Sequence, residues 1–407
     1  MKAPTAPVSA MNTNEARNRN LAAVFEAIRE AGGVSRTEIG AHMPFSLQTV
    51  TSIGQELIAM GLIREGDRLQ VNAKGKPQTT LHIVPERGYA IGMQMRWNSI
   101  TLCLVDLDYT VIDQLNIAIG AFEPREYVGE VISHLRAFID RHAERDIWAL
   151  SVSGPLPVAS PGMHASLPRR FAWMDAEWFQ SFWEAYSAQS LCDELEAALG
   201  LPAYILNNPQ SAAIAEALAA PLEARMVYIM VGLSLGATVV NHRQLNLELW
   251  RYAGEIGYVM YKDEPLNRIF SVSGLREQLD LDEPQGVYEE IIERVLAETP
   301  DVLDDWFDSS AERLRLIVNF LENTVRPDGI AVGGFMPVGY LRELVSRVEP
   351  LPDSVVLETD DPQRIMPRLA VARHSAESIP FGAGAMALSS RANSRFSDLI
   401  GQRRLPG

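Results

Sequence analysis

Two serines eleven residues apart, Ser35 and Ser46, each stand immediately before a stretch of helical periodicity, and together they leave the first eighty residues few ways to fold. A helix start leaves backbone amides without partners, and a serine hydroxyl at that point satisfies one of them. Ser35-Arg36-Thr37-Glu38 has the spacing of a capping box, in which the Glu38 amide donates to the Ser35 hydroxyl and the Glu38 carboxylate reaches back. The helix it opens runs through Ile39 and is short, because a turn at Met43-Pro44-Phe45 precedes the second cap at Ser46. Val50, Ile53, Leu57 and Ile58 then form the buried stripe of another helix, stopped at Gly61. Upstream, Leu21, Val24, Phe25 and Ile28 repeat at helical spacing and end at Gly32-Gly33. Downstream, Arg68 to Val71 and Thr79 to Ile83 read as strands around the basic tip Lys74-Gly75-Lys76-Pro77.

Three short helices followed by a basic hairpin is the plan of a winged helix-turn-helix. The third helix leaves Leu47, Gln48, Thr49, Ser52 and Gln55 on its outward face, where it would enter the major groove of DNA. Gln48 has the amide geometry for a bidentate contact to adenine, and Lys74 and Lys76 would neutralise phosphates. Arg36, Ser46, Thr49 and Ser52 complete the expected DNA-contacting set, with Ser46 a cap first. The blander alternative is a small packing or dimerisation module with an exposed loop.

Charge separates this segment from the rest. Residues 1–80 carry nine Lys/Arg against seven Asp/Glu, a net of +2, so the remainder of a chain with formal charge −16 carries −18. An acidic body repels phosphate, and contact with nucleic acid is therefore expected only through the N-terminal segment. The polar stretch Met1 to Asn20 reads as neither signal peptide nor anchor, and no apolar run approaches the ~20 residues that span a bilayer. A cytoplasmic protein without a membrane partner is expected. Cys103 and Cys192 are the only cysteines and the seven histidines are scattered, so neither a disulfide framework nor a metal site is expected.

From Tyr89 the pattern changes. Strand-like runs at 90–95, 99–106 and 111–119 precede a helical stretch at 127–142, and the apolar run Ile147 to Val152 ends at Ser153-Gly154-Pro155. Tyr204 to Leu206 leads into Asn207-Asn208 and an Ala-rich helix over 211–220. Met226 to Val231 and Ala237 to Val240 flank the turn Gly232 to Gly236, and a long helical region over 287–325 precedes the run Gly329 to Val332. Hairpins followed by strand–helix alternation argue an α/β body with two similar lobes.

Gly88-Tyr89-Ala90-Ile91-Gly92, Leu104-Val105-Asp106-Leu107-Asp108 and Val152-Ser153-Gly154-Pro155 resemble the ROK family (repressor, ORF, kinase). So do Asn207 to Glu216, Gly254-Glu255-Ile256-Gly257, Val332-Gly333-Gly334 and Gly382-Ala383-Gly384-Ala385, in order over residues 15–390. The resemblance implies an α/β chain in which a winged helix-turn-helix precedes a two-lobed actin-like ATPase fold, with a ligand cleft between the lobes. The expected layout is a disordered tail at 1–14, a DNA-binding domain at 15–84, lobe 1 at 85–206, lobe 2 at 207–379, and a C-terminal helix at 380–407 returning to lobe 1.

The departures from the family pattern are as informative. Its first phosphate loop, Asp-x-Gly-Gly-Thr, falls on Gln94-Met95-Arg96-Trp97-Asn98, where Arg96 and Trp97 cannot replace glycines, although Arg96 alone has the chemistry of a phosphate binder. The second, Gly-Thr-Gly-x-Gly, is Gly232-Leu233-Ser234-Leu235-Gly236. The family's catalytic Asp falls on Asn208, an amide that cannot accept a sugar proton, and the zinc-binding His falls on Tyr258 with no cysteine cluster following. No catalytic residue, metal or cofactor is therefore expected. Gly154, Asn207, Asn208, Glu255 and Tyr258 are the residues the resemblance places at the ligand. Arg169, beside Arg170, would select an anionic ligand such as a sugar phosphate or sugar acid, or is a solvated surface charge.

The expected function is a DNA-binding regulator, a repressor by preference, whose body forms a homodimer or tetramer and senses a sugar or sugar derivative. The competing readings are a sugar kinase with an accessory N-terminal domain and a ligand-independent DNA-binding scaffold.

Overall fold

The computed structural model describes residues 13–69, 78–154, 174–221, 224–245, 254–278, 297–298, 300–355 and 365–389. The wing tip with Lys74 and Lys76, the Arg169-Arg170 pair, and the ends of the chain before residue 13 and beyond 389 lie outside them.

Helix α1 (Thr13–Ala31) is followed by β1 (Val34–Ser35), α2 (Arg36–His42) and α3 (Leu47–Ala59). Both caps form: the Glu38 amide donates to Ser35 Oγ while Glu38 answers the Ser35 amide, and the Thr49 amide donates to Ser46 Oγ. Strands β2 (Ile63–Leu69) and β3 (Gln78–Ile83) make the wing, with β1 on the far side of β3. The first wing strand begins earlier than the residue pattern implies, since Ile63 already pairs with Ile83 and an irregularity between Glu65 and Arg68 masks the alternation.

The body contains two five-stranded sheets among the described residues. The first is built from β4 (Tyr89–Arg96), β5 (Ser99–Asp106), β6 (Val111–Ala118), β7 (Ile147–Gly154) and β8 (Ala203–Asn207). Its order is β6-β5-β4-β7-β8. Helices α4 (Pro124–Arg141), α5 (Met174–Ala185) and α6 (Ala188–Leu199) cover one face around Tyr127, Trp178 and Phe182. After α7 (Asn208–Leu218), the second sheet uses β9 (Arg225–Val231), β10 (Leu235–Asn241), β11 (Gln244–Leu245), β14 (Gly329–Gly334) and β15 (Leu369–Val371). Its order, β11-β10-β9-β14-β15, repeats the first: an antiparallel meander, then parallel strands. Between the two parts lie the short strands β12 (Met260–Tyr261) and β13 (Glu264–Pro265) and helix α8 (Val272–Gln278). Helices α9 (Pro300–Thr324) and α10 (Val338–Val348) bury Trp306, Leu314 and Leu344 against the second sheet, and α7 packs on its other face. This is the two-lobed actin-like arrangement, preceded by a winged helix-turn-helix. No helix among the described residues is long and apolar enough to cross a membrane.

Helix α11 (Ile379–Ala387) ties the lobes together, lying on β4, β5 and β7 while packing against α7. The contact is made by backbone. A Cβ on Gly92 would sit 1.8 Å from the Pro380 carbonyl oxygen, and one on Gly382 would sit 1.9 Å from that of Ser211. No side chain fits at either place. The N-terminal domain is joined just as closely, because Leu21, Phe25, Ile28 and Leu81 share one buried cluster with Val105, Trp148, Ala387 and Leu388.

Gly382→Ala is expected to destabilise the protein by about 3 kcal/mol or more, read as a lower urea midpoint, because backbone rather than a flexible side chain must give way. Gly129→Ala, at a helical position where a new Cβ meets nothing within 4 Å, is the control and is expected to stabilise by about 0.5–1 kcal/mol.

Candidate functional site

Two regions carry the chemistry. The first is the outward face of α3. Gln48, Ser52 and Gln55 are exposed, and Leu47 stands 51% exposed at the start of the helix. No acid lies in the first turn, and Glu56 is paired with Arg17 of α1, so the exposed face is free of unpaired carboxylate. Such a surface can approach DNA without charge repulsion. Of the expected contacts, Ser46 and Thr49 are occupied with each other, their hydroxyls 2.9 Å apart. Arg36 lies over α3 near Gly54 and pairs with Glu65 of the wing at 2.8 Å, which compensates its charge. Arg36 thus links α3 to the wing.

The second region is the seam between the lobes, where β7, β8, α7 and the 254–258 segment meet. Asn207 caps α7: its Oδ1 accepts from the Gln210 amide at 2.8 Å, and Gln210 Oε1 accepts from the Asn207 amide at 3.0 Å. The Asn-x-x-Gln spacing of this capping box was visible in the sequence, and the helix accordingly begins three residues before the Ala-rich stretch starting at Ser211. Asn208 accepts from Ser153 Oγ at 3.1 Å, so both asparagines are held in place by protein contacts. Gly154 is buried beside Met95. Pro209 presses on Gly236, and the next residue, Ala237, donates its amide to the Gly254 carbonyl at 2.7 Å. The start of α7 and the Glu255 segment therefore meet on neighbouring residues of β10. Glu255 is half-buried, its carboxyl has no hydrogen-bond partner among the described residues, and burial pushes that carboxyl above the usual range. Burial, then the nearby Glu255, raises the Tyr258 hydroxyl as well. Among the described residues no group of three His, Cys, Asp or Glu could hold a metal ion.

A third feature links the regions and escaped residue-by-residue reading. Arg29 of α1, 7% exposed, has its guanidinium 4.0 Å from the Tyr109 ring centroid in lobe 1, while its neighbour Glu30 pairs with Arg243 of lobe 2 at 3.3 Å. Tyr109 is presented by a turn in which Asp106 Oδ1 accepts from the amides of Asp108 and Thr110. One face of α1 thus touches both lobes. No sequence period encodes it, since the two partners, Tyr109 and Arg243, come from separate hairpins.

Glu216 of α7 secures the far end of the seam. Burial alone would raise its pKa, but His374 Nδ1 and the amides of Arg373 and His374, within 3.3 Å, hold it below the ordinary carboxylate value. A depressed carboxylate contributes stability above its unfolded pKa and loses it as pH falls through the folded one. Glu216→Gln should therefore cost about 1–3 kcal/mol near neutral pH, and in thermal melts the gap to wild type should close as pH falls through and below the ordinary carboxylate range.

No family model matches the chain. In sequence it is 22% identical over 234 residues to the DNA-binding transcriptional repressor Mlc of Escherichia coli K12, covering 57% of this chain. That stretch spans about half, 55%, of the Mlc repressor. Among solved structures the chain resembles a ROK-family transcriptional regulator, a homologue of the E. coli Mlc protein, with a TM-score of 0.68 and 17% identity, covering 95% of this chain and 98% of that one. It also resembles the ROK hexokinase of Thermus thermophilus, with a TM-score of 0.53 and 16% identity, over 73% of this chain and 97% of that one. The structural likenesses establish the fold. The kinase match leaves out about a quarter of this chain.

Proposed function

We infer that this chain is a DNA-binding transcriptional regulator of the ROK family, a repressor by preference, whose two-lobed body senses a carbohydrate-like effector and joins two or four copies. The observation that carries this reading is the winged helix-turn-helix, whose carboxylate-free recognition face is fused to the body through one hydrophobic core. The similarity to the Mlc repressor supports the same reading. Two copies would present two recognition helices to adjacent half-sites, as this class of domain requires. Lys74 and Lys76 at the wing tip are proposed as phosphate contacts, with Gln48, Ser52 and Leu47 reading bases.

Sensing rests on the seam. Glu255, a half-buried carboxylate with no side-chain partner among the described residues, and the amide Asn208 would offer acceptor and donor to a polyol. Closure around such a ligand would move lobe 2 relative to lobe 1, and α1 is attached to both through Glu30–Arg243 and Arg29–Tyr109. The ligand would then shift the population of recognition-helix spacings that fit the operator.

The kinase reading is disfavoured by two side chains. Asn208 offers no basic oxygen for a sugar hydroxyl, and Arg96 stands where the family resemblance would place a phosphate-loop glycine. ATP-dependent phosphorylation of a hexose by the purified chain would reverse this conclusion. The DNA reading is tested with an operator selected from random duplexes. Gln48→Ala should weaken binding to it by about 5- to 100-fold, with little change on non-specific DNA, measured by fluorescence anisotropy at fixed salt. Equal losses on both DNAs would mean that Gln48 reads no base.

A further inference from the structure

Alternate residues of β4 point to one face of the first sheet, and three of them, Gly92, Gln94 and Arg96, point toward the seam. Gly92 lies under the Pro380 carbonyl, and at the other end the Arg96 guanidinium lies over the ring of Phe335, 5.2 Å from its centroid. Phe335 belongs to lobe 2: it follows β14, its amide donates to the Val231 carbonyl, and its ring covers Gly232. The Arg96–Phe335 contact therefore crosses from one lobe to the other. The Arg96 backbone is pinned, since Tyr127 donates its hydroxyl to the Arg96 carbonyl at 2.6 Å. Its guanidinium forms no ion pair with a carboxylate of the described residues.

Between these two contacts lies Gln94, 3% exposed, and its Nε2 finds no acceptor among the described residues. A buried amide without a partner is costly, and such a group commonly awaits a ligand. Gln94 pairs in register with Ser153, whose hydroxyl is engaged with Asn208 at the first residue of α7. This wall thus combines one guanidinium, one unsatisfied amide donor, a neutral amide and the positive end of an eleven-residue helix. Every charged or donor group here favours an oxyanion.

We propose that Arg96, Gln94 and Asn208 form an oxyanion site at the lobe seam, and that the effector is a phosphorylated or carboxylated sugar whose anionic group lies against Arg96. This rests on the sensing role proposed above and names the effector's chemical class. Arg96 gives the anion a place in the mechanism, because a ligand that recruits its guanidinium draws it from Phe335 or braces it there. Either event changes the contact between lobes. The neutral part of the ligand would face Glu255, whose carboxyl offers hydrogen-bonding oxygens to hydroxyls.

The test uses the full chain, with glucose, glucose 6-phosphate, gluconate and inorganic phosphate compared at matched ionic strength by calorimetry and thermal shift. An anionic sugar is expected to bind at least about tenfold more tightly than glucose, with Arg96→Gln abolishing the difference. Glucose 6-phosphate and gluconate identify the anion's source. Gln94→Met, which removes the orphaned amide and keeps the volume, should weaken the same ligand and serves if Arg96→Gln does not fold. Equal affinity for glucose and its anionic derivatives, an undiminished preference in Arg96→Gln, or no binding of any of the four would overturn the site. Operator binding measured in parallel separates that outcome from failure of the regulator reading, which would show as the absence of any selected duplex.

Discussion

A helix that approaches its neighbours without side chains holds this molecule together. Helix α11 lies on the first sheet through Gly92 and against α7 through Gly382, at distances no Cβ can occupy. Close backbone approach of this kind leaves no slack, because a packed interior cannot absorb an extra methyl group without moving an element. Much follows from it. Helix α7 starts where it does relative to β7, so Ser153 can reach Asn208, and the Gln94 face of β4 is closed off from solvent. The seam between the lobes is therefore a built surface whose polar groups have fixed positions.

The N-terminal domain depends on the same assembly. Ala387 and Leu388, at the end of α11, belong to the buried cluster that contains Phe25 and Ile28 of α1. A winged helix carried on a flexible linker would report nothing about the body beneath it. Here α1 is seated in a continuous core and also meets lobe 2 through Glu30–Arg243. Single surface ion pairs contribute little stability, and the interest of this one is its location at the only charged bridge described between α1 and the second lobe. Movement at the seam has a short physical path to the recognition helix.

The seam's side chains bear on the proposed sensing role. A phosphoryl-transfer site needs a base to take the hydroxyl proton and open backbone to receive phosphates. The seam holds an amide bonded by a serine and an arginine laid on a phenylalanine. These groups can bind and orient a ligand, and none of them can move its protons.

Much of the fold was legible in the residue pattern. The caps at Ser35 and Ser46, the stripes of α1 and α3, and the strand runs of both lobes are local, and local periodicity and capping chemistry encode them directly. The long helix before β14 was expected over 287–325 and is described from Pro300 to Thr324. Of the residues singled out in the sequence, Asn207 caps a helix, and Arg36 pairs with Glu65 of the wing, a contact the linear pattern did not announce. The orphaned Gln94 amide, the Arg96–Phe335 contact and the grip of α1 on both lobes were beyond any linear reading. The contacts join residues more than fifty positions apart, and no period in the chain records such a meeting. The sequence alone determined which elements form and that the body lacks a basic oxygen at Asn208. Only the tertiary structure decided which polar groups are left unsatisfied, because partnership and burial depend on where separate elements meet.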